Sequence, residues 1–299
     1  MAARVVCVGA VTLDAIALVD RFPHHDERVV AQDVTYAGGG PAATAAVAST
    51  RLGVPAALVG AVGADAEGEQ ILAALRAEGV DVSGVQVRAE DRSGASVVVV
   101  DGGRGSRAIC TRAVPHPAVP PDGPAAALLA GADWVHTDHL GWPAVQGWRG
   151  PRTRPRLSVD GGNPIPGFRP DGVDLYVPTV EAMTHRYGDA PLDDLLAAAL
   201  ADGAGTVVAT RGAAGSVAAT GDGVRVTAPG HDVEVRSTLG AGDVFHGALL
   251  AAVVRGMPLQ DCLHYANAAA ALSCRGLDGR SAIPTHDEVL AAITPHEEI

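Results

Sequence analysis

The chain contains no lysine, and all 22 of its basic residues are arginine. This absence excludes several classes of enzyme on chemical grounds. A Walker A loop requires a lysine beside the phosphates, a protein kinase requires a strand lysine, and Schiff-base enzymes require a lysine amine. A protein of this composition that binds phosphate groups must therefore use backbone amides, arginine or metal ions.

Cysteine is also scarce, and the four cysteines form no CxxC pair. None has a histidine at the spacing of a zinc ligand set, so we expect reduced, mostly buried thiols and no metal or redox site. They are Cys7, Cys110, Cys262 and Cys274.

A stripe of basic residues and a long apolar run are both missing. The formal net charge is −12, so nucleic acid and anionic membrane surfaces are poor partners. No apolar run approaches the roughly 18–20 residues of a membrane span. The N-terminal stretch MAARVVCVGA predicts a short buried strand and lacks the longer apolar stretch of a signal peptide. We therefore expect a cytoplasmic protein.

Strand-like and helix-like segments alternate along the 299 residues, of which 47% are hydrophobic. This length suffices for one large α/β domain or two modest ones. The alternation favours a mostly parallel sheet covered by helices on both faces. Strands are predicted at residues 4–9, 56–60, 133–136, 156–160, 173–177 and 206–210. Helices are predicted at residues 41–52, 66–78, 180–187, 191–202, 242–255, 258–274 and 285–293.

Two regions interrupt this alternation. Residues 11–37 lack helical periodicity, and residues 95–112 contain two strand-like runs around a DGGRG turn. Together they predict a small β-sheet outside the main one, such as a lid. Residues 216–229 predict a hairpin around a GDG turn, and no helix is predicted in the Pro-, Gly- and Arg-rich residues 139–172.

The stretch STLGAGDVFHGALLAA places Gly240, Gly242 and Asp243 where a helix begins. Glycines at this position let backbone N–H groups converge on an anion, and the helix dipole adds partial positive charge. Asp243 in the first turn could accept a proton from a hydroxyl that attacks a phosphoryl group. The alternative interpretation is a simple turn in which Asp243 caps the helix.

Two stretches near the N-terminus are candidates for substrate contacts. AGGGPAATAA places Gly38 and Gly39 before a helix, where the backbone could approach the hydroxyls of a sugar. Asp14 follows the first strand, near the edge where open parallel sheets bind ligands. An ordinary strand-to-helix loop and a solvated aspartate are the alternatives. No GxGxxG follows the first strand, so a Rossmann dinucleotide site is not predicted.

A third stretch, TVVATRGAAGS, is a candidate for nucleotide contacts. Thr210 ends a predicted strand, and Gly212 and Gly215 follow in a turn. Thr210 and the following amides could contact phosphates, while a plain hairpin turn is the alternative.

Taken together, these motifs resemble the ribokinase-like carbohydrate kinase family, also called the PfkB family, nearly from end to end. The resembling stretches are VCVGAVTLD, AGGGPAATAA, VGAVGADAEGEQILAALRAEGVD, TLGAGDVFHGALLAA and ANAAAALSCRGLDGRSAIP. The resemblance implies one kinase domain over residues 1–299. Its implied fold is a ribokinase-like, Rossmann-type α/β sandwich, with a central mostly parallel sheet, helices on both faces and a small β-sheet lid. The lid is expected from about residues 11–37 and 95–112.

The resemblance also implies activity and site residues. It implies transfer of the γ-phosphoryl group of ATP to a sugar hydroxyl with Mg²⁺, by a homodimer that pairs through the lid. The implied catalytic residues are Asp243 as base and Gly240, Ala241 and Gly242 around a backbone anion hole. The implied sugar contacts are Asp14, Gly38 and Gly39. The implied nucleotide contacts are Thr210, Gly212, Gly215 and Asn267.

Three positions depart from the family pattern. Ala43 stands where an asparagine usually contacts the sugar, which removes a hydrogen bond worth about 1 kcal/mol. The family's N-x-x-E motif, which organises Mg²⁺ through water, appears here as Thr179, Val180 and Glu181 after Pro178, so the glutamate is kept and the asparagine is lost. Ser237 replaces an aspartate that binds a monovalent cation, which leaves a K⁺ requirement open.

Two lid arginines are candidates for an anionic group. Arg107 and Arg112 could meet a phosphate or carboxylate of the substrate, with solvated side chains as the alternative. The histidines are interpreted as structural; His246 is expected to pack beside the GAGD turn.

Three functions are compatible with these observations. The intact GAGD motif, Asp14 and Glu181 favour a sugar kinase. Ala43 favours a nucleoside kinase, because a weaker polyol signature could accommodate a base. The lost polar residues favour a sensor that binds sugar or nucleotide without turnover.

Overall fold

The computed structural model describes residues 4–103, 106–148 and 155–294. The strands are β1 Val5–Val8, β2 Thr12–Val19, β3 Asp33–Gly39, β4 Ala56–Val59, β5 Ala61–Gly63, β6 Gln86–Arg88, β7 Gly94–Asp101, β8 Ser106–Thr111, β9 Trp134–Thr137, β10 Arg156–Asp160, β11 Leu175–Val177, β12 Thr206–Thr210, β13 Ser216–Thr220 and β14 Arg225–Ala228. The helices are α1 Pro41–Arg51, α2 Ala66–Ala77, α3 Pro124–Gly131, α4 Trp142–Gly147, α5 Val180–Tyr187, α6 Leu192–Ala201, α7 Ala241–Val254, α8 Leu259–Ser273 and α9 His286–Ile293.

The main sheet has the strand order β14-β13-β12-β11-β10-β9-β1-β4. The strands from β12 to β4 pair in parallel, and β13 and β14 extend the sheet antiparallel at one edge. β1 lies between β4 and β9, so that Val5 pairs with Ala56 and Trp134. Every residue of β1 and β4 is buried, as expected for strands covered on both faces. The carboxyl ends of the parallel strands therefore share one edge, where such sheets bind ligands.

A second sheet, here called the lid sheet, has the order β3-β2-β7-β8. It is built from the two regions that sequence predicts as a lid; residues 104 and 105 of that prediction lie outside the described residues. Alternation in TLDAIALV directs Ile16 and Leu18 inward, where they pack with Val98, Val100 and Leu277. The opposite face carries the exposed residues Val34, Tyr36 and Val97, so it is the more open of the two faces.

Helices α1 and α7 pack closely because their facing residues are small. A side chain at Gly247 of α7 would overlap the Ala45 carbonyl of α1. Ala43 lies within α1 and is fully buried. Its methyl group belongs to the helix packing, and Ala43 does not line the cavity described below.

Several predicted elements are corrected by the structure. Asp14 lies within strand β2, inside the region predicted as the lid, whereas Gly39 ends strand β3, two residues beyond the predicted bound of that region. Both belong to one antiparallel pairing, which local sequence does not reveal. Helix α4 occupies part of the region where no helix was predicted, and α3, β5 and β6 were also missed. These elements are short, and the uniformly apolar α3 has no amphipathic period to detect.

No helix within the described residues is long and apolar enough to span a membrane.

Candidate active site

A cavity of about 580 Å³, here called the cleft, lies between the carboxyl edge of the main sheet and the covered face of the lid sheet. It brings together residues that are distant in sequence. The predicted site residues that line it are Asp14, Gly38, Gly39, Arg107, Thr210, Gly240, Gly242 and Asp243. Ser96, His139, Asp160 and His246 also line it.

Helix α7 begins at the floor of the cleft. Its first turn is preceded by Gly240 in the left-handed conformation, with φ 74°. A Cβ at Gly240 would lie 2.8 Å from the Cα of Gly279, so the close approach of two loops also requires glycine. The space beside Gly242 is open. The Ala241 amide donates to the Thr238 carbonyl at 3.3 Å, which leaves the helix start at Gly242 as the open part of the predicted anion site.

Asp243 follows in the first turn of α7 and lines the cleft. Burial raises the pKa of its carboxyl group to about 7, and the nearby Asp160 carboxylate acts in the same direction. His246 and Arg280 oppose this shift. A carboxylate with a pKa near neutrality can both accept and release a proton at physiological pH, as a general base requires.

Asp160 and His246 form a buried ion pair beside this aspartate. His246 Nε2 lies 3.2 Å from Asp160 Oδ1, and the two side chains are 6% and 7% exposed. The Gly162 amide also donates to Asp160 Oδ1, at 2.8 Å. The pKa of the Asp160 carboxyl is lowered, although burial alone would raise it, because His246 and this amide stabilise its charge. The pKa of His246 is raised by the same carboxylate against the effect of burial.

Asp14 is held at the lid side of the cleft. Thr12 Oγ1 donates to Asp14 Oδ1 at 2.8 Å. Burial raises the pKa of the Asp14 carboxyl, while the hydroxyls of Thr12 and Ser96 and the charge of Arg280 limit the rise. Arg280 is itself buried and donates to the Gly39 carbonyl at 2.7 Å. Its guanidinium therefore supports the strand end that carries the predicted sugar contacts.

Asp138 organises the base of the cleft, and sequence reasoning did not identify it. Its buried carboxylate accepts four backbone N–H bonds, from Ala10 at 2.7 Å, Ala42 at 3.2 Å, Leu140 at 2.9 Å and Gly141 at 2.9 Å. It thereby ties the loop after β1 and the start of α1 to the segment after β9. The signal that could have found it is its position directly after a buried parallel strand.

The predicted nucleotide contacts are only partly brought together. Thr210 lines the cleft, whereas Gly212, Gly215 and Asn267 do not. Asn267 is buried, and its Nδ2 donates to the carbonyls of Ala228 at 3.2 Å and Pro229 at 2.9 Å. Gly215 has φ 86°, and a side chain there would overlap the Ala228 carbonyl. Asn267 and Gly215 therefore shape the wall next to Thr210 through the same backbone segment.

The two lid arginines have different surroundings. Arg107 is exposed, lines the cleft and donates from Nη1 to Thr238 Oγ1 at 2.9 Å. Arg112 points elsewhere, since it donates from Nη2 to the Ser93 carbonyl at 2.6 Å and pairs with Glu67 at 3.3 Å. The structure thus places Arg107 on the lining of the cleft and gives Arg112 contacts away from it.

The predicted cation positions lie beside the cleft. Glu181 stands in the first turn of α5 and lines an adjoining cavity of about 490 Å³, which shares Thr179 and Gly162 with the cleft. Thr179 caps α5 by accepting the Ala182 amide at 3.0 Å. Ser237 is buried, and its Oγ accepts the Leu239 amide at 3.2 Å. Among the described residues, no group of three or more His, Cys, Asp or Glu could hold a metal.

Comparison with known proteins places the chain in one family. Residues 2–114 and 171–286 match the pfkB family carbohydrate kinase. The chain is 30% identical over 294 residues to the ATP-dependent ribose-1-phosphate kinase of Halopiger xanaduensis. This alignment covers 97% of this chain and 98% of that protein. It is 28% identical over 306 residues to the ribokinase of Bacillus subtilis, and this alignment covers 96% of this chain and 98% of that protein. A crystal structure from Agrobacterium tumefaciens has a TM-score of 0.84 and 29% identity, and covers 98% of this chain and 97% of that one.

The chain belongs to the pfkB family of carbohydrate kinases. The predictions of this family, of a ribokinase-like fold and of a phosphotransferase are therefore confirmed.

Proposed function

We propose that the protein transfers the γ-phosphoryl group of ATP to a hydroxyl of a sugar bound in the cleft, with Asp243 as general base. One observation carries the proposal: Asp243, with its pKa raised to about 7, lines the same cleft as the buried Asp14 and the open start of α7. The similarity to an ATP-dependent sugar phosphate kinase and to a ribokinase supports the choice of ATP and sugar.

Each part of the cleft has a role in this reaction. Asp14 accepts hydrogen bonds from sugar hydroxyls and orients the acceptor. Asp243 removes the proton of the attacking hydroxyl as the new O–P bond forms and the bond between the γ-phosphorus and the β–γ bridging oxygen breaks, which releases ADP. The amides at the start of α7 and the helix dipole stabilise the charge on the transferred group. The absence of lysine is compatible with this arrangement, because no lysine is required in it.

The residues present fit a Mg²⁺ ion bound chiefly through nucleotide phosphates and water. Mg²⁺ in such sites uses one or two protein carboxylates, and Glu181 lines the cavity that adjoins the cleft. Glu181 would hold the hydrated ion, whose charge would balance that of the phosphates. A dedicated cage of protein ligands is not found among the described residues.

Arg107 favours a substrate with an anionic group. It lines the cleft from strand β8 of the lid sheet, where it contacts Thr238. A guanidinium recognises phosphate by two parallel hydrogen bonds. Together with the similarity to a ribose-1-phosphate kinase, this position favours a sugar phosphate over a neutral sugar.

The nucleoside alternative loses the observation that motivated it. Ala43 is buried in helix packing and does not line the cleft, so its methyl group creates no room for a base. Nucleosides are therefore included in the experiment below as acceptors for comparison with sugars. The alternative of a sensor predicts binding of sugar or nucleotide without turnover, so a measurement of turnover distinguishes it from a kinase.

The test is ADP release from Mg-ATP with a panel of pentoses, hexoses, their phosphates and nucleosides. We expect turnover with a sugar or sugar phosphate, and a loss of about 10²–10⁴-fold in Asp243→Asn. Asp261→Asn, an exposed aspartate in the first turn of α8, is the matched control. Binding of sugar and nucleotide without any turnover in the parent protein would falsify the proposal and identify a sensor.

A further inference from the structure

The buried ion pair of Asp160 and His246 stands next to the proposed base and has no role in the reaction as described so far. We propose that this pair positions and tunes Asp243 electrostatically: the His246 imidazolium offsets the field that the Asp160 carboxylate exerts on the base. The inference rests on the proposed function of Asp243 and assigns His246 and Asp160 as positioning residues.

The geometry brings the three side chains together from two elements. His246 follows Asp243 by one turn of α7, so both side chains lie on the same face of the helix. Asp160 ends strand β10 and reaches His246 Nε2 at 3.2 Å. All three residues line the cleft. A charge on either member of the pair therefore acts on Asp243 through a largely buried region, where screening by solvent is weak.

The other ring nitrogen of His246 is also informative. His246 Nδ1 is buried and has no hydrogen-bond partner among the described residues. The Asp160 carboxylate is therefore the hydrogen-bond partner that holds the His246 ring in place among the described residues.

The surrounding charges determine the sign of the effect. Besides the pair and the base themselves, the titratable and charged groups that face them are Asp138 after β9, His136 on β9 and Arg280 after α8. The His136 ring lies 5.1 Å from that of His246, between centroids, and its Nδ1 is 3.0 Å from Ser158 Oγ. Burial and the charge of His246 lower the pKa of His136 to about 3, so this ring is neutral. His246 and Arg280 are then the positive groups that face the carboxylates around the base, and His246 is the one in contact with Asp160.

We expect the two single variants of this pair to shift the acid limb of the pH profile of kcat in opposite directions. His246→Gln keeps a donor to Asp160 but removes the positive charge, so the limb should move to higher pH. Asp160→Asn removes the negative charge, so the limb should move to lower pH. We expect each shift to be about half a pH unit or more. The double variant, a neutral Gln–Asn pair, should return the limb towards that of the parent.

A purely structural role predicts a different result. It would reduce stability or kcat in the single variants and leave the acid limb in place, or move it in one direction for both. Either outcome overturns the inference. His24→Gln, an exposed histidine between β2 and β3, is the matched control and should change neither kcat nor the limb.

A second measurement keeps the inference testable if a single variant does not fold, since an unpaired buried charge is strongly destabilising. NMR titration of histidine-labelled parent protein should show His246 protonated at neutral pH and His136 neutral. In Asp160→Asn, the midpoint of the His246 titration should move to lower pH. In the double variant, which lacks His246, its signal should disappear. A neutral His246 at pH 7 in the parent protein overturns the inference.

The two proposals fail in different ways. If no sugar or sugar phosphate is turned over, the proposed function fails, while the NMR titration still reports on the pair. If the parent is active, Asp243→Asn is inactive and the acid limb does not move in the pair variants, only the further inference fails.

Discussion

Gly39 at the end of β3 lies directly against the carboxylate of Asp14 on β2. A Cβ at Gly39 would overlap Asp14 Oδ2 and would lie 2.6 Å from Thr12 Oγ1. The missing side chain therefore keeps open the space that the Asp14 carboxylate occupies. This contact links the two predicted sugar-binding motifs to each other.

Gly39→Ala should displace Asp14 and weaken sugar binding. We expect KM for the acceptor to rise by about tenfold or more, as one oriented hydrogen bond to a charged group is lost, while KM for ATP changes little. Gly131→Ala is the control, because nothing lies within 4 Å of a Cβ at Gly131. An unchanged acceptor KM in Gly39→Ala would show that Asp14 does not bind the sugar.

Asp243 should cost the protein stability at neutral pH. Its pKa rises from 3.8 to about 7 on folding, so between about pH 4 and 7 the folded state holds a proton that the unfolded state has released. The free energy of unfolding therefore falls as pH rises through this interval. Asp243→Asn should be more stable than the parent at pH 8, on the order of 1–3 kcal/mol.

Denaturant unfolding of both proteins from pH 4 to 8 measures this difference. The stabilisation should shrink towards zero near pH 4, and Asp261→Asn should show no comparable trend. A stability difference that is independent of pH contradicts the raised pKa of Asp243.

Arg107 should distinguish anionic from neutral acceptors. Arg107→Gln removes the guanidinium that lines the cleft, so we expect KM for a sugar phosphate to rise by about tenfold or more. KM for a neutral sugar should change by about twofold or less, since neutral acceptors do not need the charge. Arg225→Gln, on the distant edge strand β14, is the control. Equal losses for both classes of acceptor would assign Arg107 a structural role.

Ser237 should make the enzyme independent of K⁺. A buried serine whose Oγ accepts the Leu239 amide supplies no carboxylate to a cation. We expect rates in K⁺ and in Na⁺ at equal ionic strength to agree within about twofold. Carboxylate oxygens contribute most to the binding of hard cations, and none is present at this position. Strong stimulation of the parent by K⁺ contradicts this expectation.

The outer face of the lid sheet should carry the predicted homodimer contact. Val34, Tyr36 and Val97 are 59%, 73% and 56% exposed, and the strand register places them on one face. Exposed apolar patches of this kind mark interaction surfaces. Sedimentation should show a dimer for the parent and a monomer for Tyr36→Asp. Val224→Asp, an exposed residue of the β13–β14 turn, is the control; a monomeric parent contradicts the prediction.

Much of this protein follows from the order of its residues. Buried runs such as VVCV and AALV predict parallel strands, because only a strand covered on both faces tolerates an apolar residue at every position. The start of α7 at Gly240 and Asp243 is equally local, since a left-handed glycine and a first-turn carboxylate are properties of neighbouring residues. The family resemblance rests on such local motifs, and therefore the fold class could be predicted.

Only the tertiary structure decided which way individual side chains point and which distant residues meet. Arg107 and Arg112 lie on or next to the same strand, yet packing directs one into the cleft and the other to Glu67. Ala43 occupies a motif position but belongs to the core. Asp160 and His246 are far apart in sequence, and they meet because β10 ends and α7 begins at the same edge of the sheet. Charge interactions depend on distance in space and on burial, and neither is written in the local sequence.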